Sequence, residues 1–82
     1  MNLNVKFFAT LKERAGGSHT SVELPGDRPS VQDLLDTLAR QVPMLKPSLE
    51  SVLVAVNMEF AFPEQSLQAS DEIALFPPVS GG

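Results

Sequence analysis

The chain carries one clear amphipathic helix. Ser30 offers an N-cap hydroxyl, Asp33 follows three residues on in a weaker form of the capping box, and Val31, Leu34, Leu35, Leu38 and Val42 recur at helical spacing. Asp33 and Asp36 lie near the positive end of the helix dipole and Arg40 near its negative end. Pro43 stops the helix. A single apolar stripe has to be buried against another layer, so the rest of this 82-residue chain must supply one.

The remaining segments read as strands. Residues 2–8 alternate polar and apolar, with Leu3, Val5 and Phe7 directed inward and Asn2, Asn4, Lys6 and Phe8 outward. Residues 9–15 suit a short helical turn broken by Gly16-Gly17. Residues 18–24 then form a second strand, with Thr20, Val22 and Leu24 on one face, closed by the turn Pro25-Gly26-Asp27. So close a connection predicts an antiparallel pair. Residues 44–51, interrupted by Pro47, read as a loop with at most a short turn.

Val52-Leu53-Val54-Ala55-Val56 is a continuous apolar run rich in β-branched residues, as in a strand covered at least partly on both faces. Asn57 follows as a turn former, residues 59–62 suggest a brief strand before Pro63, and residues 66–69 a connection. Ser70-Asp71 turns the chain into a last strand, residues 72–76, with Ile73 and Leu75 on one face and Ala74 and Phe76 on the other. Pro77-Pro78 ends it, since proline cannot donate to a ladder. The order predicts an α+β fold, a mixed sheet with one main helix packed across one face. The β-grasp, or ubiquitin-like, arrangement fits this order, and by that analogy the first and last strands lie side by side and parallel. Residues 1–76 are then the domain and residues 77–82 an extended C-terminal tail.

Composition excludes several classes of function. Six basic residues against ten acidic ones give a formal charge of -4, without the electrostatic footprint of a nucleic-acid binder. No apolar run reaches the length of a membrane span, and the N-terminal residues lack the pattern of a signal peptide, so a cytoplasmic protein is expected. There is no cysteine, so any sulfur the chain handles must be carried elsewhere than on a thiol. No metal site is expected.

Two features point to function. Phe8 and Phe76 fall on the face away from the helix, at the C-terminal ends of strands expected to be neighbours, and form one apolar patch of the kind that marks a protein interface. Phe60 and Phe62 provide a further aromatic pair, and periodicity leaves open which of them joins it. It also leaves open whether a loop or the tail folds over the rings. The second feature is the terminal string Pro77-Pro78-Val79-Ser80-Gly81-Gly82, which spans roughly 20 Å at about 3.3–3.6 Å per residue. The prolines stiffen its base and reduce the entropy lost on insertion into a partner, while Gly81-Gly82 lacks the Cβ atoms that would collide in a narrow channel. A carboxylate on Gly82, once activated as an acyl-adenylate, would accept sulfur to become a thiocarboxylate, or an amine to become an amide.

On these residues the chain resembles the molybdopterin synthase small subunits, the ubiquitin-like sulfur carriers of molybdenum cofactor biosynthesis. The resemblance rests on Val5-Lys6-Phe7-Phe8-Ala9 followed by Leu11-Lys12-Glu13 and Gly16, on Ser30-Val31 with Leu34-Leu35, and on Val54-Ala55-Val56-Asn57. Its most specific part is Asp71-Glu72-Ile73-Ala74-Leu75-Phe76-Pro77-Pro78-Val79-Ser80-Gly81-Gly82. The family commonly has Asp-Gly-Asp-Glu before the last strand, where this chain has Ala69-Ser70-Asp71-Glu72.

The resemblance implies that an activating enzyme adenylates Gly82 with ATP, that a sulfur donor protein converts it to a thiocarboxylate, and that the tail then enters the large synthase subunit. There the sulfur passes to cyclic pyranopterin monophosphate. The large subunit is expected to supply the pterin pocket and the acid/base groups, in an assembly of two small and two large subunits. The small subunit is then a non-catalytic sulfur donor that binds no cofactor itself. Gly81 and Gly82 match the reactive tail, Phe8, Phe60 and Phe76 match apolar interface positions, Lys12 matches a basic one, and Pro77, Pro78, Val79 and Ser80 are the segment that enters the partner. A sulfur carrier for thiamine thiazole synthesis and a ubiquitin-like protein modifier are the alternatives.

Overall fold

The computed structural model describes residues 1–78. The elements follow in the order β1 (Asn2–Phe7), α1 (Thr10–Ala15), β2 (His19–Glu23), α2 (Val31–Gln41), a 3₁₀ turn (Pro43–Leu45), α3 (Lys46–Leu49), β3 (Leu53–Val56), β4 (Glu59–Phe60) and β5 (Ile73–Phe76). The five-stranded sheet has the order β2-β1-β5-β3-β4. β1 and β5 are parallel at its centre, with Val5 opposite Ile73 and Phe7 opposite Leu75, while every other pairing is antiparallel. This is the β-grasp arrangement expected from element order, with α2 packed across one face.

Alternation decides which face α2 covers. Leu3, Val5 and Phe7 of β1 are buried with Val22 of β2, Val54 and Val56 of β3, and Ile73 and Leu75 of β5. Val31, Leu34 and Leu38 of α2 close over them, and Leu35 and Val42 pack at the margin. The α2 stripe thus enters the core through three of its five apolar positions.

The N–H groups at the start of α2, which have no partner within the helix, all find one outside it. Ser30 Oγ accepts from the Asp33 N–H at 3.1 Å, and Asp33 Oδ2 accepts from the Ser30 N–H at 2.9 Å, completing the capping box. The Val31 and Gln32 N–H groups donate to the carbonyls of Gln65 and Pro63, each at 2.9 Å. Through these bonds the helix start anchors the 63–67 segment, whose Leu67 lies in the core. Ser30→Ala is therefore expected to lower the unfolding free energy by about 1 kcal/mol, measured by urea denaturation, with Ser30→Asp restoring most of it.

Residues 44–51 depart from the expected loop. They form the 3₁₀ turn and α3, and they bury Leu45 and Leu49. Pro43 and Pro47 stand in the first turns of these two short helices, where the missing N–H has no intrahelical partner to lose. Pro47 thus starts a helical turn instead of preventing one, and the spacing of Leu45 and Leu49 places both on the core side. Leu67 is a second departure, a core residue in a segment expected only to connect.

At the sheet edge, Gln41 Nε2 donates to the Ser21 carbonyl at 3.0 Å and so covers part of β2. Among the described residues, no helix is long and apolar enough to cross a membrane.

Candidate functional site: an aromatic groove at the base of the tail

The parallel pairing of β1 and β5 builds the site. Because Lys6 lies opposite Ala74 and Phe7 opposite Leu75, the next outward residues, Phe8 and Phe76, come side by side. Their rings stack with centroids 4.6 Å apart and an interplanar angle of 11°. Such pairs contribute about 0.5–1.5 kcal/mol beyond the area they bury. Phe8 remains 41% exposed although its N–H extends the ladder to the Leu75 carbonyl at 3.1 Å. The structure thus leaves Phe8 open to a partner while Phe7, one residue earlier, is core.

A hydrophobic groove of about 440 Å³ opens beside the stack, lined by Lys6, Phe8, Ala55, Met58, Phe60, Glu72, Ile73, Ala74 and Phe76. Ala55 and Ala74 are cross-strand neighbours and, having the smallest side chains of the lining, form its floor. Phe60 stands on β4 opposite Ala55 and is 73% exposed. Of the two aromatics that periodicity left open, Phe60 therefore joins the groove. Phe62, equally exposed, does not line it. Leu53, opposite Phe76 on the same outward face, extends the apolar surface. Strand alternation alone implies its outward direction, two residues before Ala55, but its pairing with Phe76 is needed to place it here.

A two-residue turn, Asn57-Met58, joins β3 to β4 with positive φ at both positions, 52° and 70°. Asn57 suits this backbone and fixes it. Its N–H donates to the Glu72 carbonyl at 2.8 Å, its Oδ1 accepts from the Glu72 N–H at 2.9 Å, and its Nδ2 donates to Asp71 Oδ1 at 2.9 Å. Asp71 Oδ2 in turn accepts from the Gln68 N–H at 2.7 Å. The turn is thereby fastened to the residues that lead into β5.

On the other side of Phe8, Ala9 adopts a φ of 53° as the chain swings from β1 into α1. Gly16, with φ 76°, ends that helix in the left-handed conformation common at C-caps. Lys12 of α1 and Lys6 share a shallow depression with Phe8 and His19. Lys6 and Glu72 both line the groove, and Lys12 lies beyond Phe8.

The structure thus brings Phe8, Phe60 and Phe76 into one surface and sets Lys12 at its edge. Pro77, half-buried, and Pro78, exposed, carry the chain off the end of β5. Val79, Ser80, Gly81 and Gly82 lie outside the described residues.

A family model described as the ThiS family matches residues 5–82. The molybdopterin synthase sulfur carrier subunit of Dictyostelium discoideum is 36% identical over 80 residues, covering 95% of this chain and 93% of that protein. The small archaeal modifier protein 1 of Haloferax volcanii is 39% identical over 85 residues, covering 94% of this chain and 97% of that protein. A crystal structure of the H. volcanii protein superimposes with a TM-score of 0.87 at 37% identity, covering 100% of both chains.

Proposed function

The chain belongs to the ThiS family, and we propose that it is the sulfur carrier subunit of a molybdopterin synthase, with Gly82 as the group that bears the sulfur. The observation that carries this reading is that the Pro-Pro base of a diglycine tail leaves the sheet directly beside the Phe8–Phe76 stack. A partner seated on that groove is placed to receive the tail. The names of relatives such as the D. discoideum protein support the same role.

The chemistry follows from the terminal group. A carboxylate resists nucleophiles because its charge repels them and oxide is a poor leaving group. An adenylating enzyme removes both obstacles: a carboxylate oxygen of Gly82 attacks the α-phosphorus of ATP and pyrophosphate departs. The outer sulfur of a persulfide on the donor protein then attacks the acyl carbon and AMP leaves. A thiol attacks the donor's own sulfur in the resulting acyl disulfide, forms a disulfide with it and releases the thiocarboxylate on Gly82. The sulfur is next transferred to cyclic pyranopterin monophosphate in the large subunit, which supplies the pterin pocket and the proton transfers. This chain contributes the docking face through Phe8, Phe60, Phe76 and Lys12, the directed base Pro77-Pro78, the spacer Val79-Ser80 and the unhindered Gly81-Gly82. The assembly holds two carriers and two large subunits, and this chain binds no cofactor of its own.

The intact mass of the protein, incubated with the adenylating enzyme, ATP and a sulfur source, tests the reading. The expected result is replacement of one oxygen by sulfur, located at Gly82 by fragmentation, and capture of the carrier by the large subunit. An unchanged carboxylate with all components active would overturn it. The kinship with small archaeal modifier protein 1 gives a second reading substance, in which the activated carbonyl is passed to a lysine. Isopeptide-linked conjugates in the host, with no sulfur on Gly82, would select that outcome. Loading with sulfur but no binding to the large subunit would instead point to the thiazole pathway.

A further inference from the structure

The chain has three methionines and no cysteine, so thioethers are the only side-chain sulfur it offers to an oxidant. The three differ in their surroundings. Met1 packs against the core, and its ammonium group donates to the Leu24 carbonyl at 2.8 Å. Met44, on the 3₁₀ turn after α2, is 68% exposed but does not line the aromatic groove. Met58 is 92% exposed and does line it, with Phe8, Phe60 and Phe76. Its φ of 70° is one that residues with a Cβ adopt rarely, and the bonds of Asn57 to Asp71 and Glu72 hold that turn. The most accessible thioether of the chain is therefore fixed at the groove.

We propose that Met58 is an oxidation site, and that its sulfoxide reversibly withdraws the chain from docking. This rests on the docking role given to the groove above. The reactant is a peroxide. A lone pair of the thioether sulfur attacks one peroxide oxygen, the O–O bond breaks, and the hydroxide released takes the proton from the new S–OH and leaves as water. Sulfur is oxidised by two electrons and the peroxide is reduced by two. The product carries a strong S=O dipole where an apolar thioether stood, in a groove floored by Ala55 and Ala74. Burying that oxygen against an apolar partner surface costs free energy unless a donor meets it. Met58 is outside the buried core, so the fold has little to lose. A dithiol-dependent reductase reverses the step, the oxygen leaving as water while the dithiol becomes a disulfide.

Treatment of the full chain, in its carboxylate form, with hydrogen peroxide tests this, read by peptide mass mapping and by calorimetry against the synthase large subunit after the peroxide is removed. The sulfoxide is expected to accumulate on Met58 before Met44 and Met1. Affinity should then fall about tenfold at an unchanged urea midpoint, and methionine sulfoxide reductases, one for each sulfoxide epimer, should restore it. Met44→Leu should leave both the untreated affinity and its loss on treatment unchanged, since Met44 does not line the groove. Whatever affinity Met58→Leu has before treatment, peroxide should not alter it. Earlier oxidation of Met44 or Met1, or a Met58 sulfoxide that binds within about twofold of the untreated chain, overturns the inference. In those cases the docking face still stands if Phe60→Ala weakens binding. If the untreated chain does not bind the large subunit at all, the sulfur-carrier reading falls and this inference with it.

Discussion

A chain lacking Gly82 is expected to fold with an unchanged urea midpoint and to support no measurable sulfur transfer. The first half follows from the core, whose buried apolar residues, among the described residues, run from Leu3 to Leu75. The second follows from reach. Removing Gly82 leaves a carboxylate on Gly81, drawn back by about 3.3–3.6 Å from where the partner expects it. A displacement of about 1 Å at a reacting centre can cost about a hundredfold in rate, so a full residue should abolish both adenylation and transfer. Intact mass and a synthase assay measure the loss, and denaturation checks the fold. Normal loading of the shortened chain would show that the tail's terminal carbonyl is not the sulfur site, and a lowered midpoint would show that the tail stabilises the domain.

Phe76→Ala is expected to weaken binding of the large subunit by about 2 kcal/mol or more, roughly thirtyfold, because a central aromatic anchor is removed from the interface. The isolated domain should lose less, on the order of 1 kcal/mol, chiefly from loss of the stack with Phe8. Phe7→Ala provides the contrast, since Phe7 is 3% exposed and its truncation should cost about 3–5 kcal/mol of stability. Calorimetry of binding and urea denaturation of each variant distinguish the two. If Phe76→Ala destabilises the domain as much as Phe7→Ala and leaves the affinity of the folded fraction unchanged, then Phe76 is a core residue and the docking face has been misplaced.

The adjacent pair Phe7-Phe8 illustrates what was legible before the structure. Alternation along β1 assigns them opposite faces, and the same rule separates Leu75 from Phe76. The capping box of α2 was equally readable, because Ser30 and Asp33 form a local motif whose partners are three residues apart. The segment around Pro47 was misread because a proline breaks a helix interior but fits a helix start, and only burial of Leu45 and Leu49 decides between these. Leu67 was missed for a related reason: a lone leucine has no period, and it is the hydrogen bonds to the start of α2 that pull its segment against the core.

The groove was legible in part. Periodicity and the family resemblance point to Phe8, Phe60 and Phe76 as interface positions, and neither points to Met58 or Leu53. Asn57 reads as a turn former in any sequence, but that its turn is clamped to Asp71 and Glu72, and so aims Met58 at the groove, depends on a contact across 14 residues. Whether Phe60 or Phe62 faces the stack depends on the register of β4 against β3, which places Phe60 opposite Ala55.

Local pattern thus determined the strands, the two helices α1 and α2, the inward and outward faces of β1 and β5, the lack of a cysteine for sulfur chemistry and the Gly81-Gly82 pair. These are properties of single segments, set by side-chain periodicity and by residue type. Tertiary structure decided which outward faces become one surface, because strands distant in sequence must pair before their side chains can meet. Lys6 lies opposite Ala74 across 68 residues of chain, and a shift of one residue in that register would turn the Phe76 side of β5 toward the helix. The stack at the base of the tail exists because the core on the other face, built from Val5, Phe7, Ile73 and Leu75, holds that register.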